Sequence, residues 1–172
     1  FTRLRECIDL FRQALAMEPD YAPAWAGLAQ GYFLLAWFYQ MASDEAMPLS
    51  RGAALKVLEI DPESGQGHST LGLVECGFEW RWASAERRFQ RAIELQPGIA
   101  MMYPFYAFCC LLPQQRLEEA CAAMEQALVL DPFNPLIHST AAYTYGVAGR
   151  YEDAIHHYLL GLEVNPDFPP IP

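Results

Sequence analysis

The chain has 172 residues, 53% of them hydrophobic, with a formal net charge of −10 and a pI near 4.7. That is enough apolar material for a continuous core, while eleven basic residues against 21 acidic ones leave no basic footprint for nucleic acid. No apolar run reaches the roughly 18 residues of a membrane span, and no charged start with an apolar stretch and cleavage site marks a secretory leader.

Five corners punctuate the chain, each an acidic or polar residue before proline at the end of an apolar-patterned run: Glu18-Pro19, Asp61-Pro62, Gln96-Pro97, Asp131-Pro132 and Asn165-Pro166. Successive prolines are 43, 35, 35 and 34 residues apart, and a fixed period in the thirties is the mark of stacked repeats. The residue before a proline is pushed out of the α region, so each corner is expected to end a helix.

Residues 1–19 read as the second helix of a truncated unit, with Cys7, Phe11 and Ala14 on one face. Unit 22–64 carries Trp25, Leu28, Ala29 and Tyr32 on its first helix and a weak copy of the packing face, Ser50, Ala54 and Val57, on its second. It is nine residues over a 34-residue period, and the excess lies near Ala36–Glu45. A lengthened first helix or a long turn is expected there, with Ser43 or Asp44 as N-cap and Pro48 in the first turn of the next helix. Its Trp37, Phe38 and Tyr39 either pack on the neighbouring unit or form an exposed docking patch. Unit 65–99 has His68, Leu71 and Gly72, with Glu75 where an aromatic is expected, then Ala85, Phe89 and Ala92. Trp80 and Trp82 read as a lid on its turn. Unit 100–134 has Tyr103, Tyr106 and Ala107, a stop at Pro113, then Ala120, Met124 and Ala127. Unit 135–168 has His138, Ala141, Ala142 and Tyr145, a turn with Gly149, then Ala154, Tyr158 and Gly161. Residues 169–172 would open a further unit. Opening on Phe1 inside an amphipathic pattern, the chain reads as a piece of a longer polypeptide, and self-association through its two cut ends is expected.

A bulky residue between two small ones on the second helix, with an aromatic, a Leu-Gly or Leu-Ala step and a tyrosine on the first, resembles the tetratricopeptide repeat (TPR) family; a related bacterial helical repeat is the alternative. The resemblance covers nearly the whole chain. It implies an all-α fold, a right-handed α-α superhelix (solenoid) of antiparallel helix pairs with four complete repeats plus a leading half repeat, forming one domain over 1–172. The tryptophan-flanked turn of Gly77–Phe89 is similar to turns in repeat regions attached to bacterial signalling proteins such as transcription regulators, adenylate cyclases and serine/threonine kinases.

Five cysteines at irregular spacing do not make a disulfide framework. Cys7, Cys109, Cys110 and Cys121 lie in apolar or small-residue runs and read as buried thiols of a reducing, cytoplasmic protein. Arg81, Arg87, Arg88 and Arg91, interleaved with Glu86 and Glu94, read as a solvated, ion-paired helix face. His156 and His157 are adjacent and point to different faces, and His68 and His138 occupy equivalent aromatic positions, so packing explains them. No Gly-rich phosphate loop, HExxH or CxxC is present. No catalytic residue, metal site or cofactor is therefore expected, and the chain is not read as an enzyme.

The resemblance also implies a concave groove lined by the first helices. The flanking positions are Gln30, Phe33, Ser69, Leu73, Met101, Phe105, Phe108, Ser139 and Tyr143. They carry no lysine, arginine or asparagine, so the family's clamp for a peptide C-terminal carboxylate is not expected. The expected partner is a protein or peptide with apolar anchors, extended or helical, with neither nucleic acid nor membrane as partner. The alternative is a groove filled in cis, as an intramolecular regulatory or oligomerisation module of a kinase, cyclase or transcription regulator.

Overall fold

Helices in this chain end where a proline or a left-handed residue forbids them to continue. The computed structural model describes residues 2–166, so the end of the last expected unit (167–168) and the start of a further one (169–172) lie outside the described residues. The helices are α1 (Thr2–Met17), α2 (Ala22–Trp37), α3 (Ser43–Ile60), α4 (Gly65–Gly77), α5 (Trp82–Leu95), α6 (Met102–Tyr106), α7 (Leu117–Leu130), α8 (Pro135–Val147) and α9 (Tyr151–Val164). Helix α6 runs on as a π turn, Ala107–Leu111, and a 3-10 turn, Leu112–Gln114. Helices α2/α3, α4/α5, α6/α7 and α8/α9 pair across short turns, and α1 leads them as an unpaired second helix. The fold is all-α and built of repeated helix pairs. The chain divides into two compact units, 1–96 and 97–172, and the division falls on the Gln96-Pro97 corner.

Before each of four corner prolines the chain leaves the α region: Asp61 (φ −131°), Gln96 (φ −138°), Asp131 (φ −144°) and Asn165 (φ −148°). Six residues beyond a corner proline, an aromatic side chain on the next helix reaches back to that proline's carbonyl. Trp25 Nε1–H donates to Pro19 (2.8 Å), His68 Nε2–H to Pro62 (3.2 Å), Tyr103 O–H to Pro97 (2.9 Å) and His138 Nε2–H to Pro132 (2.8 Å). Trp, His and Tyr share this position because each carries a donor at the far edge of a ring.

The turn inside each pair uses a left-handed residue: Tyr39 (φ 55°), Trp80 (φ 58°), Gln115 (φ 59°) and Gly149 (φ 78°). In the last pair, Gly149 N–H donates to Gly146 and Arg150 N–H to Tyr145, at 3.1 and 2.8 Å. Gln115 and Arg116 repeat the scheme on Leu112 and Leu111, at 2.9 and 3.1 Å. Pro113 stops the helix as expected, and Gln114 Nε2–H donates to the Cys110 carbonyl at 2.8 Å. Trp80 occupies the strained position and stays exposed, its ring meeting the half-buried Trp82 edge-on. Only Trp82 can act as a lid.

In the first unit, Ile8, Leu28, Ala29, Tyr32, Leu35, Ala53, Ala54 and Leu71 form the core. Small residues allow the close approach: a Cβ on Gly72 would lie 3.0 Å from the Phe89 ring, and one on Gly27 would lie 2.3 Å from Phe11. Ala85, Phe89 and Ala92 are buried as their spacing requires. The weak copy works through a different bond, Ser50 Oγ–H donating to the Ala29 carbonyl at 2.7 Å. The excess residues lengthen both helices of this pair, to 16 and 18 residues against 13 and 14 in the next. The N-cap of α3 is Ala42, so Ser43 and Asp44 fall inside its first turn, and Pro48 lies in the second turn rather than the first. Asp44 and Glu45 there face the positive end of the helix dipole. Cys76, Cys109, Cys110 and Cys121 are buried; Cys7, expected among the buried thiols, is exposed because α1 is covered on the α2 side alone.

Three substitutions test this account by thermal or urea unfolding. Gly72→Leu should cost about 1–3 kcal/mol by forcing the Phe89 ring aside, whereas Gly52→Ala, in open space on α3, should add about 1 kcal/mol. Gln115→Gly should relieve the left-handed strain and raise stability by about 1 kcal/mol, a Tm rise of about 2–4 °C; an unchanged Tm would mean the turn is unstrained.

Candidate partner-binding surface

The nine expected groove positions divide sharply between the units. In the first, Gln30 is half-buried, but Phe33 is 1% exposed and stacks on Trp37 with ring centroids 5.7 Å apart. Ser69 and Leu73 are also buried, because α4 packs against α2, α3 and α5 and is covered nearly all round. Phe33, Ser69 and Leu73 therefore present nothing to a partner. Of the aromatic insertion, Trp37 and Phe38 are half-buried and Tyr39 is exposed at the turn.

In the second unit Met101, Phe105, Phe108 and Ser139 are half-buried and Tyr143 is exposed. The Phe108 and Tyr143 rings meet at 5.1 Å. Beside Tyr143 opens a groove of about 350 Å³ lined by Ser139, Ala142 and Tyr143 of α8 and by Ala154, Ile155, Tyr158 and Leu159 of α9. Ser139, half-buried, and Tyr143, exposed, are the two of the nine expected positions that line it. Ile155 and Leu159 fall outside the repeat pattern that marks the groove, although their i, i+4 spacing on an apolar stripe is a signal for them. Tyr158 sits in the register of Phe89, where a buried knob is expected, yet it is 43% exposed; in its unit α9 packs against α8 alone.

Around the α7 end of the same unit a second cleft, of about 670 Å³, is lined by charged side chains including Arg116, Glu118, Glu119, Glu125 and Arg150. Arg116 pairs with Glu119 (2.6 Å), while Arg150 bridges Asp153 (2.7 Å) and Glu125 (3.2 Å) and lies 4.4 Å over the Tyr145 ring. The Arg116 guanidinium holds the Glu119 carboxyl below its ordinary range. Burial pushes the Tyr145 hydroxyl up to about 12 and raises the Cys121 thiol, which leaves that thiol protonated and unreactive.

The histidines are fixed in structure. Because a carbonyl can only accept, His138 must carry its proton on Nε2, and its Nδ1 accepts from His157 Nδ1–H at 3.1 Å with the rings stacked. His68 likewise leaves Nδ1 for Arg88 Nη1 at 3.3 Å. Arg88 Nε also lies 3.6 Å from the buried Glu75, whose Oε2 has no hydrogen-bond partner. Among the described residues, no group of three or more His, Cys, Asp or Glu could hold a metal ion, and no helix is long and apolar enough to cross a membrane.

No protein-family model matches the chain. The transcriptional regulator HilA of Salmonella typhimurium is 26% identical over 129 residues, which cover 75% of this chain and 23% of that protein. The chain thus spans about a quarter of the length of that curated relative. Among solved structures, the thermophilic TPR protein TTC0263 of Thermus thermophilus superposes with a TM-score of 0.77 at 20% identity, covering 96% of this chain and 85% of that one. YrrB, described as a TPR protein with an unusual peptide-binding site, superposes at 0.59 and 22% identity over 96% of this chain and 80% of its own. At these identities the likeness is one of fold: the chain shares the repeated helix-pair architecture of solved tetratricopeptide-repeat proteins.

Burial lowers the His68 and His157 pKa values, helped by Arg88 and Arg91 for the first and by His138 and His156 for the second. A depressed folded pKa contributes stability that is complete above the unfolded value near 6.5 and is lost as the pH falls from there towards the folded value. Asp153 opposes this at His157, while Arg150 reinforces it. Urea unfolding should therefore show lower stability at pH 5.5 than at 7.5, and His68→Gln with His157→Gln should shrink that difference. An undiminished difference would assign the pH dependence to other groups.

Proposed function

We propose that this chain is a non-catalytic protein-interaction scaffold whose α8/α9 surface takes the apolar side chains of a partner protein. The observation that carries the reading is the company in which Tyr143, Ile155, Tyr158 and Leu159 are exposed: four large apolar side chains around one groove. Isolated exposed hydrophobes need no explanation, but a contiguous set beside a concavity marks an interaction surface. Phe105 and Phe108 extend the aromatic character of the same unit, and Gln30 and Tyr39 are the accessible candidates in the other.

A peptide-binding TPR protein among the structural neighbours supports this reading, and the likeness to HilA supports a place within a larger bacterial regulatory protein. Four buried free thiols fit a reducing, cytoplasmic setting. Neither a terminal-carboxylate clamp nor nucleic acid binding fits a groove wall without a cation.

A photo-crosslinking amino acid at Tyr143 of the full-length parent protein, with one at the exposed Glu59 as control, should capture a partner at position 143 alone. Tyr143→Ala should then weaken capture of that partner about tenfold or more, the cost of an interface aromatic. Equal capture at both positions would remove the groove from the function.

A further inference from the structure

We propose that the α8/α9 groove takes a cationic amphipathic helix, its apolar face against Tyr143, Ile155, Tyr158 and Leu159 and its lysines or arginines against Glu152 and Glu163. This rests on the scaffold reading and specifies the chemistry of the partner. Both walls of the groove are helices, whose main-chain groups are already bonded within them. An extended peptide would find no open strand edge to pair with, whereas a helix brings its own hydrogen bonds and needs only side-chain contact. Ser139, Ala142 and Ala154 leave the floor shallow, so a helix can approach closely.

Charge decides the partner's flank. On α9, Ile155, Tyr158, Leu159 and Leu162 form one stripe, and Glu152 and Glu163, eleven residues apart, run along its edge. Three helical turns separate them, about 16 Å. Both are exposed, and neither belongs to an ion pair among the described residues. Residues 97–166 contain no lysine and two arginines, Arg116 and Arg150, both engaged elsewhere, with Glu119 and with Asp153 and Glu125, and the exposed His156 lies one turn after Glu152 on α9. No lysine or arginine of this unit is thus available to the groove edge. A neutral or acidic helix would bring two carboxylates into a drying interface without partners. One with basic residues beside its apolar stripe, about eleven positions apart, would neutralise both.

The test uses fluorescein-labelled 18-residue helical peptides with one Leu/Ile stripe, flanked by lysine in one and by glutamate in the other, plus a scrambled lysine peptide. Anisotropy titrations with the whole chain should show the lysine peptide binding at least tenfold tighter than the other two, and more weakly as salt is raised. Ile155→Asp should abolish binding. Glu152→Gln with Glu163→Gln should weaken it several-fold and flatten the salt dependence, and circular dichroism of each variant confirms folding. Equal binding of the lysine and glutamate peptides, lost in Ile155→Asp, would overturn the cationic assignment and leave the groove standing. If no peptide binds while Tyr143 crosslinks a partner in the parent protein, the cationic helix is wrong and the scaffold reading survives. If Tyr143 captures nothing either, both fail. Equal binding of the scrambled peptide would reduce the effect to unspecific charge attraction. Sedimentation showing that Ile155→Asp dissolves a self-complex would make a second copy the occupant. Binding gained on removing residues 167–172 would make the chain's own end the occupant, and either result overturns the proposal.

Discussion

The carbonyl of the corner proline is the group around which each unit is organised. Proline ends the preceding helix by sterics, and the non-helical residue before it turns the chain towards the next helix. That leaves a carbonyl outside both helices, and it must find a donor or remain wet. A ring donor six residues on supplies one at Pro19, Pro62, Pro97 and Pro132. The bond spans the corner and ties the start of the new helix to the stop of the old. The requirement is a donor at the far edge of a flat ring, which is why tryptophan, tyrosine and histidine interchange there while phenylalanine does not appear. It also removes His68 and His138 from ligand chemistry, since one ring nitrogen of each is already committed.

Using histidine at this position has a consequence that tryptophan and tyrosine avoid. Its second nitrogen becomes a half-buried acceptor and must be served by the facing helix. Arg88 serves His68 and His157 serves His138. In the second pair of helices the same arginine faces Glu75, which stands where an aromatic would otherwise fill the space. Glu75 and His68 thus share one cation, and a single arginine on α5 makes two polar departures from the repeat pattern tolerable together. The uncovered Oε2 of Glu75 marks where that compensation is incomplete.

Much of the fold was legible because its determinants are local. A proline corner acts on adjacent dihedrals, and a small residue beneath a bulky one is a steric statement within one helix pair; Gly72 and Phe89 fulfil it. The left-handed turns were legible only at Gly149, since Tyr39, Trp80 and Gln115 adopt the same geometry without glycine's freedom. Pro48 shows the limit of cap rules: a proline near a helix start signals the start without fixing its distance. The groove was the least legible part. Whether Phe33, Ser69 and Leu73 are open depends on how many helices cover that side, and an amphipathic pattern states that a face can be buried without stating by what.

Phe89 and Tyr158 make that distinction concrete. They occupy the same register on second helices, yet one is fully buried and the other is open to solvent. Apolarity alone cannot tell a packing face from a docking face, since both are stripes of large side chains between small ones. The charges beside the stripe do distinguish them. Along α5, Arg88 meets Glu75 and Arg91 meets Glu94 and Glu63, so the face is closed by its own unit. Along α9, Glu152 and Glu163 have no such counterparts, and the unit's two arginines are held elsewhere. An edge neutralised from within belongs to a core already complete, whereas an apolar edge with unanswered carboxylates requires that its complement arrive with the opposite charge.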